Sequence, residues 1–236
     1  MTHFRAVILN CQGSRWGGGR AAWLRRKPNV VARIQRSLGD DLLSSPSIVV
    51  ATELSDAEAK ELCAALGPSW EYVNTLYSSV LFTGWEPGRI WEKTWNAGTH
   101  GMVVVELSRG GKRINVAATH LPPFAWRAAA RKRQVKYISD FFAGWSDPIL
   151  IGGDFNWRKT LESYASSLGF KSARQVAEAA VNREYRTNGG WGTGSQIDYA
   201  FVKSIRVRSY RVLRGWNPIT RATASDHNMI TIQATV

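Results

Sequence analysis

Short β-branched runs that each stop on a polar residue recur along this chain, and they constrain its fold more than any other feature. The strongest is Pro148-Ile149-Leu150-Ile151-Gly152-Gly153-Asp154-Phe155-Asn156, an apolar strand passing through a glycine pair to an acid and an amide. Strand residues alternate faces, so Asp154 and Asn156 are expected to point one way and Phe155 into the core. The glycines are expected to allow a tight turn and leave open space beside the carboxylate. Other runs end the same way, on Asn10, Glu53 and His120. Asp198 opens another run, and Asp226 and His227 precede the last.

Strands are predicted near 4–10, 47–52, 70–74, 78–83, 102–107, 113–119, 148–152, 197–202, 206–213 and 229–235. Helices are predicted near 27–38, 56–66, 125–143, 158–168 and 172–180. Ser55 with Glu58 reads as a capping box opening the second helix, and Gly67-Pro68 closes it. Gly110-Gly111 reads as a hairpin turn. No repeat or linker interrupts the pattern, and 236 residues suffice for one full core. The expected fold class is α/β: a two-layer mixed β-sandwich flanked by helices, residues 1–236 forming a single domain.

Composition narrows the partners. The net charge is +13, unevenly placed. No acid occurs from Cys11 to Gly39 or from Tyr199 to Ser225, where arginines are frequent. A third basic cluster is Arg127, Arg131, Lys132, Arg133 and Lys136. Such a surface favours polyanions, nucleic acid first and anionic membrane second, against the plainer reading of a solvated basic face. No apolar run approaches the ~18 residues of a membrane span. The two cysteines, Cys11 and Cys63, have no metal-ligand spacing, and a reduced cytoplasmic setting fits them. Most of the 11 tryptophans are expected to fill the core or brace loops. Trp157, directly after the Asp154 motif, is the best candidate for stacking on an exposed base.

The carboxylates and amides at the strand ends are hard oxygen ligands suited to Mg²⁺ or Mn²⁺, and a set with no cysteine and only two histidines speaks against structural zinc. Taken singly, each has a plainer reading. Glu53 is then a charge at a helix start, Asn10 a turn residue, Asp198 an edge-strand charge, and Asp226 a turn cap.

Taken together and in order, these residues resemble the endonuclease/exonuclease/phosphatase superfamily, the DNase I-like fold. The resemblance spans nearly the whole chain: Asn10, Thr52-Glu53, Ser78 to Phe82, Thr119-His120-Leu121, Arg131 to Gln134, Gly153-Asp154-Phe155-Asn156, Ile197-Asp198-Tyr199 and Ser225-Asp226-His227. It implies a sandwich with the site at one rim, and Mg²⁺- or Mn²⁺-dependent hydrolysis of a phosphoester. It implies Glu53 as the metal ligand, supported by Asn10 and Asp226. His227 is implied as general base or charge-stabilising donor, with Asp198 orienting it and favouring its protonated form. Asp154 and Asn156 are implied to position the attacking water, and His120 to protonate the leaving group or bind phosphate. Arg127, Arg131 and Trp157 are the expected substrate contacts. Leu54-Ser55 after Glu53, and Pro122 after Thr119-His120-Leu121, depart from the abasic-site endonuclease branch.

The expected function is a nuclease cutting DNA or RNA as a monomer. The alternative is a phosphatase or phosphodiesterase acting on inositol-phosphate or sphingolipid-type phosphoesters. A third is a non-catalytic nucleic-acid-binding module.

Overall fold

A computed structural model describes residues 1–15, 18–39, 45–95, 100–123, 127–157, 160–181, 197–213 and 227–236. In chain order the strands are β1 (His3–Asn10), β2 (Ser47–Thr52), β3 (Trp70–Thr75), β4 (Ser78–Thr83), β5 (Glu86–Trp95), β6 (His100–Arg109) and β7 (Lys112–His120). Then follow β8 (Ile149–Asp154), β9 (Lys171–Ser172), β10 (Ala179–Val181), β11 (Asp198–Lys203), β12 (Arg206–Leu213) and β13 (Met229–Thr235). The helices are α1 (Gly19–Leu38), α2 (Asp56–Leu66), α3 (Ala128–Phe141), α4 (Leu161–Ser167) and α5 (Ala173–Val176).

Two mixed sheets result among the described residues. The first has 7 strands in the order β10-β12-β13-β1-β2-β4-β3, and the second has 6 in the order β5-β6-β7-β8-β11-β9. Their facing sides interdigitate Ile8, Val50, Phe82, Val105, Val116 and Leu150 into a buried core. A second core lies between the first sheet and helices α1 and α2. A third, rich in aromatics, lies between the second sheet and helices α3 and α4. Strands buried on both faces read as continuous apolar runs, which is why β2 and β8 were legible as strands.

The differences from expectation have physical causes. Helix α1 starts at Gly19 rather than near residue 27, because Trp23, Val30, Ile34 and Leu38 form one buried stripe along it. Pro28 sits inside that helix. Residues 172–180 split into the short helix α5 and strand β10. Strand β5 was not expected. Its Pro87 and Gly88 break the strand signal, and it is almost wholly exposed, as an edge strand is. The capping box of α2 is present, with Ser55 and Glu58 bonding reciprocally.

The two glycines of β8 do not leave open space. A Cβ at Gly152 would lie 2.7 Å from Ile8 Cγ1 and 3.1 Å from Val50 Cγ1. A Cβ at Gly153, which has φ 142°, would lie 1.9 Å from the Thr119 carbonyl oxygen. Gly152 therefore lets the sheets close on one another, and Gly153 lets β8 lie tight against β7.

Candidate active site

Sheet register gathers the polar strand ends at one rim. In the parallel pair β7–β8, His120 lies opposite Asp154. In the antiparallel pair β8–β11, Asp198 lies opposite the same Asp154. Asn10 ends β1 opposite Thr52, and Glu53 follows it. The antiparallel pairing of β13 with β1 returns His227, just before β13, to the same end. Close sheet packing then joins the halves. Ile8 and Gly152 meet across the core, and the next residues on those faces, Asn10 and Asp154, meet above them. Asn10 Nδ2 donates to Asp154 Oδ2 at 3.1 Å.

Asp154 is the hub. Its Oδ1 accepts from the Asn156 backbone N–H at 2.8 Å. His120 Nε2 lies 3.9 Å from its Oδ2 and 3.7 Å from Glu53 Oε1. Glu53, His120 and Asp154 each place one donor atom within 4.8 Å of the others, as do Asp154, Asp198 and His227. His227 Nδ1 lies 2.7 Å from Asp198 Oδ2. Apart from the half-buried Glu53, these side chains are buried. Burial first, and then the charge of Asp198, push the Asp154 carboxyl well above its ordinary pKa.

Asn156 does not continue the strand alternation. Its φ of 48° turns the chain, and its Nδ2 donates to the Leu121 carbonyl at 2.8 Å, tying the end of β8 to the segment after His120. Phe155 enters the core against Tyr199 and Phe201, as expected. Left-handed backbone recurs around this rim at Gln12, Glu53, Tyr77 and Asn156, none of them glycine. Strained conformations of this kind cost of order 1–3 kcal/mol each and persist where the surroundings over-determine them. At Glu53 the surroundings are visible: its N–H donates to the Tyr77 carbonyl, and its carbonyl accepts from Gly13 N.

Two of the three expected substrate contacts are engaged by the protein itself, and the third, Arg127, lies near His100. Arg131 is buried, and its Nη1 donates to the carbonyls of Pro122 at 3.0 Å and Pro123 at 2.7 Å, so it holds up the segment following His120. Trp157 is half-buried; its indole donates to Thr160 Oγ1 at 3.0 Å and its ring packs on Tyr164. Arg127, at the start of α3, is half-exposed. Asp226 lies outside the described residues, as do Trp16, Trp126 and Trp191. Part of the basic sequence is engaged internally: Arg206 and Arg208 share Glu178, and Lys203 donates to the Trp145 carbonyl.

One residue of the rim escaped sequence reasoning. His100, at the start of β6, is buried with its ring 4.7 Å from that of His120. Burial first, then the positive charges of Arg127 and Arg15, bring its pKa down to about 4. His120 is likewise held well below the ordinary histidine range by burial, His100 and His227. The only sequence signal for His100 was its place beside a predicted strand.

The donor set suits a hard divalent cation. Three carboxylates converge with two imidazoles, and a cation between them would offset the repulsion that now raises Asp154.

Residues 7–227 match the Endonuclease/Exonuclease/phosphatase family, and the chain belongs to it. Members of that family are phosphoester hydrolases that use divalent metals. Among solved structures, the fold is similar to an endonuclease/exonuclease/phosphatase from Bacteroides vulgatus, at 16% identity with a TM-score of 0.80, covering 100% of both chains. It is similar to mannosyl-6-phosphatase Bt3783 of Bacteroides thetaiotaomicron, at 18% identity and TM-score 0.76, covering 100% of both chains. It is also similar to TDP2 of D. rerio complexed with a single-strand DNA product, at 11% identity and TM-score 0.78, again covering 100% of both. No curated protein matches the chain by sequence. Among the described residues no helix is long and apolar enough to cross a membrane.

Proposed function

We propose that this chain is a divalent-metal-dependent phosphodiesterase that cleaves nucleic acid. The observation that carries the hydrolytic part is the sharing of Asp154 by two carboxylate–imidazole groups at one rim of the sandwich. Glu53 and Asp154 hold the cation in this reading, with Asn10 orienting Asp154 and Asp226 completing the set. When bound, the cation polarises a phosphoryl oxygen and offsets the charge that develops in the transition state.

The protein's own groups then divide the work. Asp198 fixes the Nδ1 side of His227, so the imidazole presents one orientation to the phosphate. Asp154 and Asn156 position the water. His120, neutral at physiological pH because of its depressed pKa, offers a hydrogen bond to the phosphate or leaving oxygen and does not enter the reaction already protonated.

The nucleic-acid part rests on charge. The chain carries +13, and Arg15 and Arg127 both lie close enough to the site for their fields to act on His100. Cations at the rim of a phosphoester site favour a polyanionic strand over a single small phosphate.

The test is a substrate panel in Mg²⁺ or Mn²⁺: single- and double-stranded DNA, RNA, phosphoinositides, sphingomyelin and sugar phosphates. Cleavage of at least one nucleic acid, abolished by EDTA, is expected. Release of phosphate from lipid or sugar substrates with every nucleic acid intact would reject the reading.

A further inference from the structure

On the His120 side of the rim, Trp95, Ala130, Arg133, Gln134 and Tyr137 enclose an open depression of about 320 Å³. Two links tie its lining to the site. Trp95 pairs with His100 across β5 and β6, and the His100 ring lies 4.7 Å from His120. Gln134 sits one helical turn after Arg131, which supports the segment following His120.

The lining is aromatic and cationic. Tyr137 is 38% exposed, and its ring meets the Trp95 ring edge-on at 5.3 Å. Lys93 Nζ rests over the Tyr137 ring at 5.1 Å, and the Phe141 ring lies nearly parallel to it at 6.5 Å. Arg133 and Lys93 are exposed, and among the described residues no acid lines the depression. Trp95 and Gln134 are each 8% exposed. Among the described residues, Trp95 Nε1 and Gln134 Oε1 have no hydrogen-bond partner. Native proteins leave few buried polar atoms unpaired, and here a donor and an acceptor both belong to residues lining one depression.

We propose that this depression takes one unpaired nucleotide of the strand whose phosphodiester is cut, an inference that rests on the nucleic-acid reading above. The base stacks on Tyr137, displacing the Lys93 side chain, and Gln134 and Trp95 turn toward its polar edge. Arg133 and Lys93 meet the adjoining phosphates. Stacking tolerates any base, so the subsite selects single-stranded or frayed substrate without reading sequence.

The experiment compares kcat/KM for a short single-stranded oligodeoxynucleotide with kcat/KM for bis(p-nitrophenyl) phosphate, in Mg²⁺. In Tyr137→Ala the ratio of the two constants is expected to fall about tenfold, the loss typical of one stacked base. Tyr137→Phe, which keeps the ring, is expected to preserve the ratio. Should Tyr137→Ala fold poorly, the double variant Lys93→Gln with Arg133→Gln, both at exposed positions, carries the same expectation. A ratio within twofold of wild type in the folded variants overturns the subsite alone. A wild type that cleaves the small diester but no oligonucleotide overturns the nucleic-acid reading, and the subsite with it.

Discussion

Two buried carboxylates of the second-sheet side behave in opposite ways. Glu162, on α4, is surrounded by donors: Ser172 Oγ at 2.6 Å, Arg174 Nε at 3.2 Å and Gln175 Nε2 at 3.4 Å. Asp154, at the end of β8, receives hydrogen bonds from the neutral amides of Asn10 and Asn156. Among the described residues no lysine or arginine pairs with it, and its near neighbours include Asp198 and Glu53. Glu162 is a finished structural element, its charge compensated by the chain itself. Asp154 feels the charges of His227 and Arg131 but has no lysine or arginine paired with it among the described residues, which leaves charge for something outside the chain to compensate. The lesson is that burial of an acid does not mark a site; burial without a built-in counter-charge does.

The contrast breaks most visibly in activity. Asp154→Asn is expected to lower kcat for phosphodiester cleavage by about 10³-fold or more, in line with removal of a positioned acid–base or metal-binding group. Its stability in EDTA is expected to equal or exceed that of wild type, because a repelled charge is gone. Urea unfolding beside a rate assay reads both halves, and a destabilised Asp154→Asn protein would put Asp154 in the structural class with Glu162.

Glu162→Ala should show the mirror image. Losing a carboxylate that accepts four hydrogen bonds is expected to cost about 2–3 kcal/mol in urea unfolding. The kcat of the folded fraction should stay near wild type, and a loss of kcat beyond a few-fold would erase the distinction.

Gly152→Ala sharpens the comparison by moving the sheets that bring Asn10 to Asp154. The added methyl meets Ile8 and Val50, and overpacking of this kind costs about 1–3 kcal/mol. Both stability and kcat should fall together, since the same close approach serves both. A variant as stable as wild type would show that the sheets have room to part.

The smallest effect is a pH dependence. Unfolded His100 takes up its proton near pH 6.5, whereas in the folded protein uptake is deferred to about pH 4. Between those values the unfolded state binds more protons, so stability contributed here falls as pH drops from 6.5 toward 4. Above 6.5 the contribution is fully present. His100→Phe should flatten that part of the stability profile relative to wild type, and an unchanged slope would show that His100 is not the group responsible.

Much of the fold was legible because strands buried on both faces write themselves as β-branched runs. The convergence of Asn10, Glu53, His120, Asp154, Asp198 and His227 was legible in their order along the chain, not in any one of them. Edge strand β5 was hidden, since an exposed strand carrying Pro87 and Gly88 lacks the alternation that betrays a half-buried one. His100 was hidden because only the β6–β7 pairing sets it against His120. Arg131 looked like a phosphate contact in a basic helix, yet its face of α3 turns inward to the Pro122 and Pro123 carbonyls. The spacing of charges along a helix does not say which of them the core will claim.

In the proposed function, Glu53 and Asp154 hold a divalent cation on which phosphodiester cleavage depends. Titration of Mn²⁺ into the metal-stripped protein, followed by the loss of free-ion EPR signal and paired with a cleavage assay on the same samples, tests it most directly. Wild type should bind Mn²⁺ and gain activity over the same concentration range, while Glu53→Gln and Asp154→Asn remain folded and lose both. Either variant binding Mn²⁺ as tightly as wild type and cleaving at the wild-type rate would contradict the account.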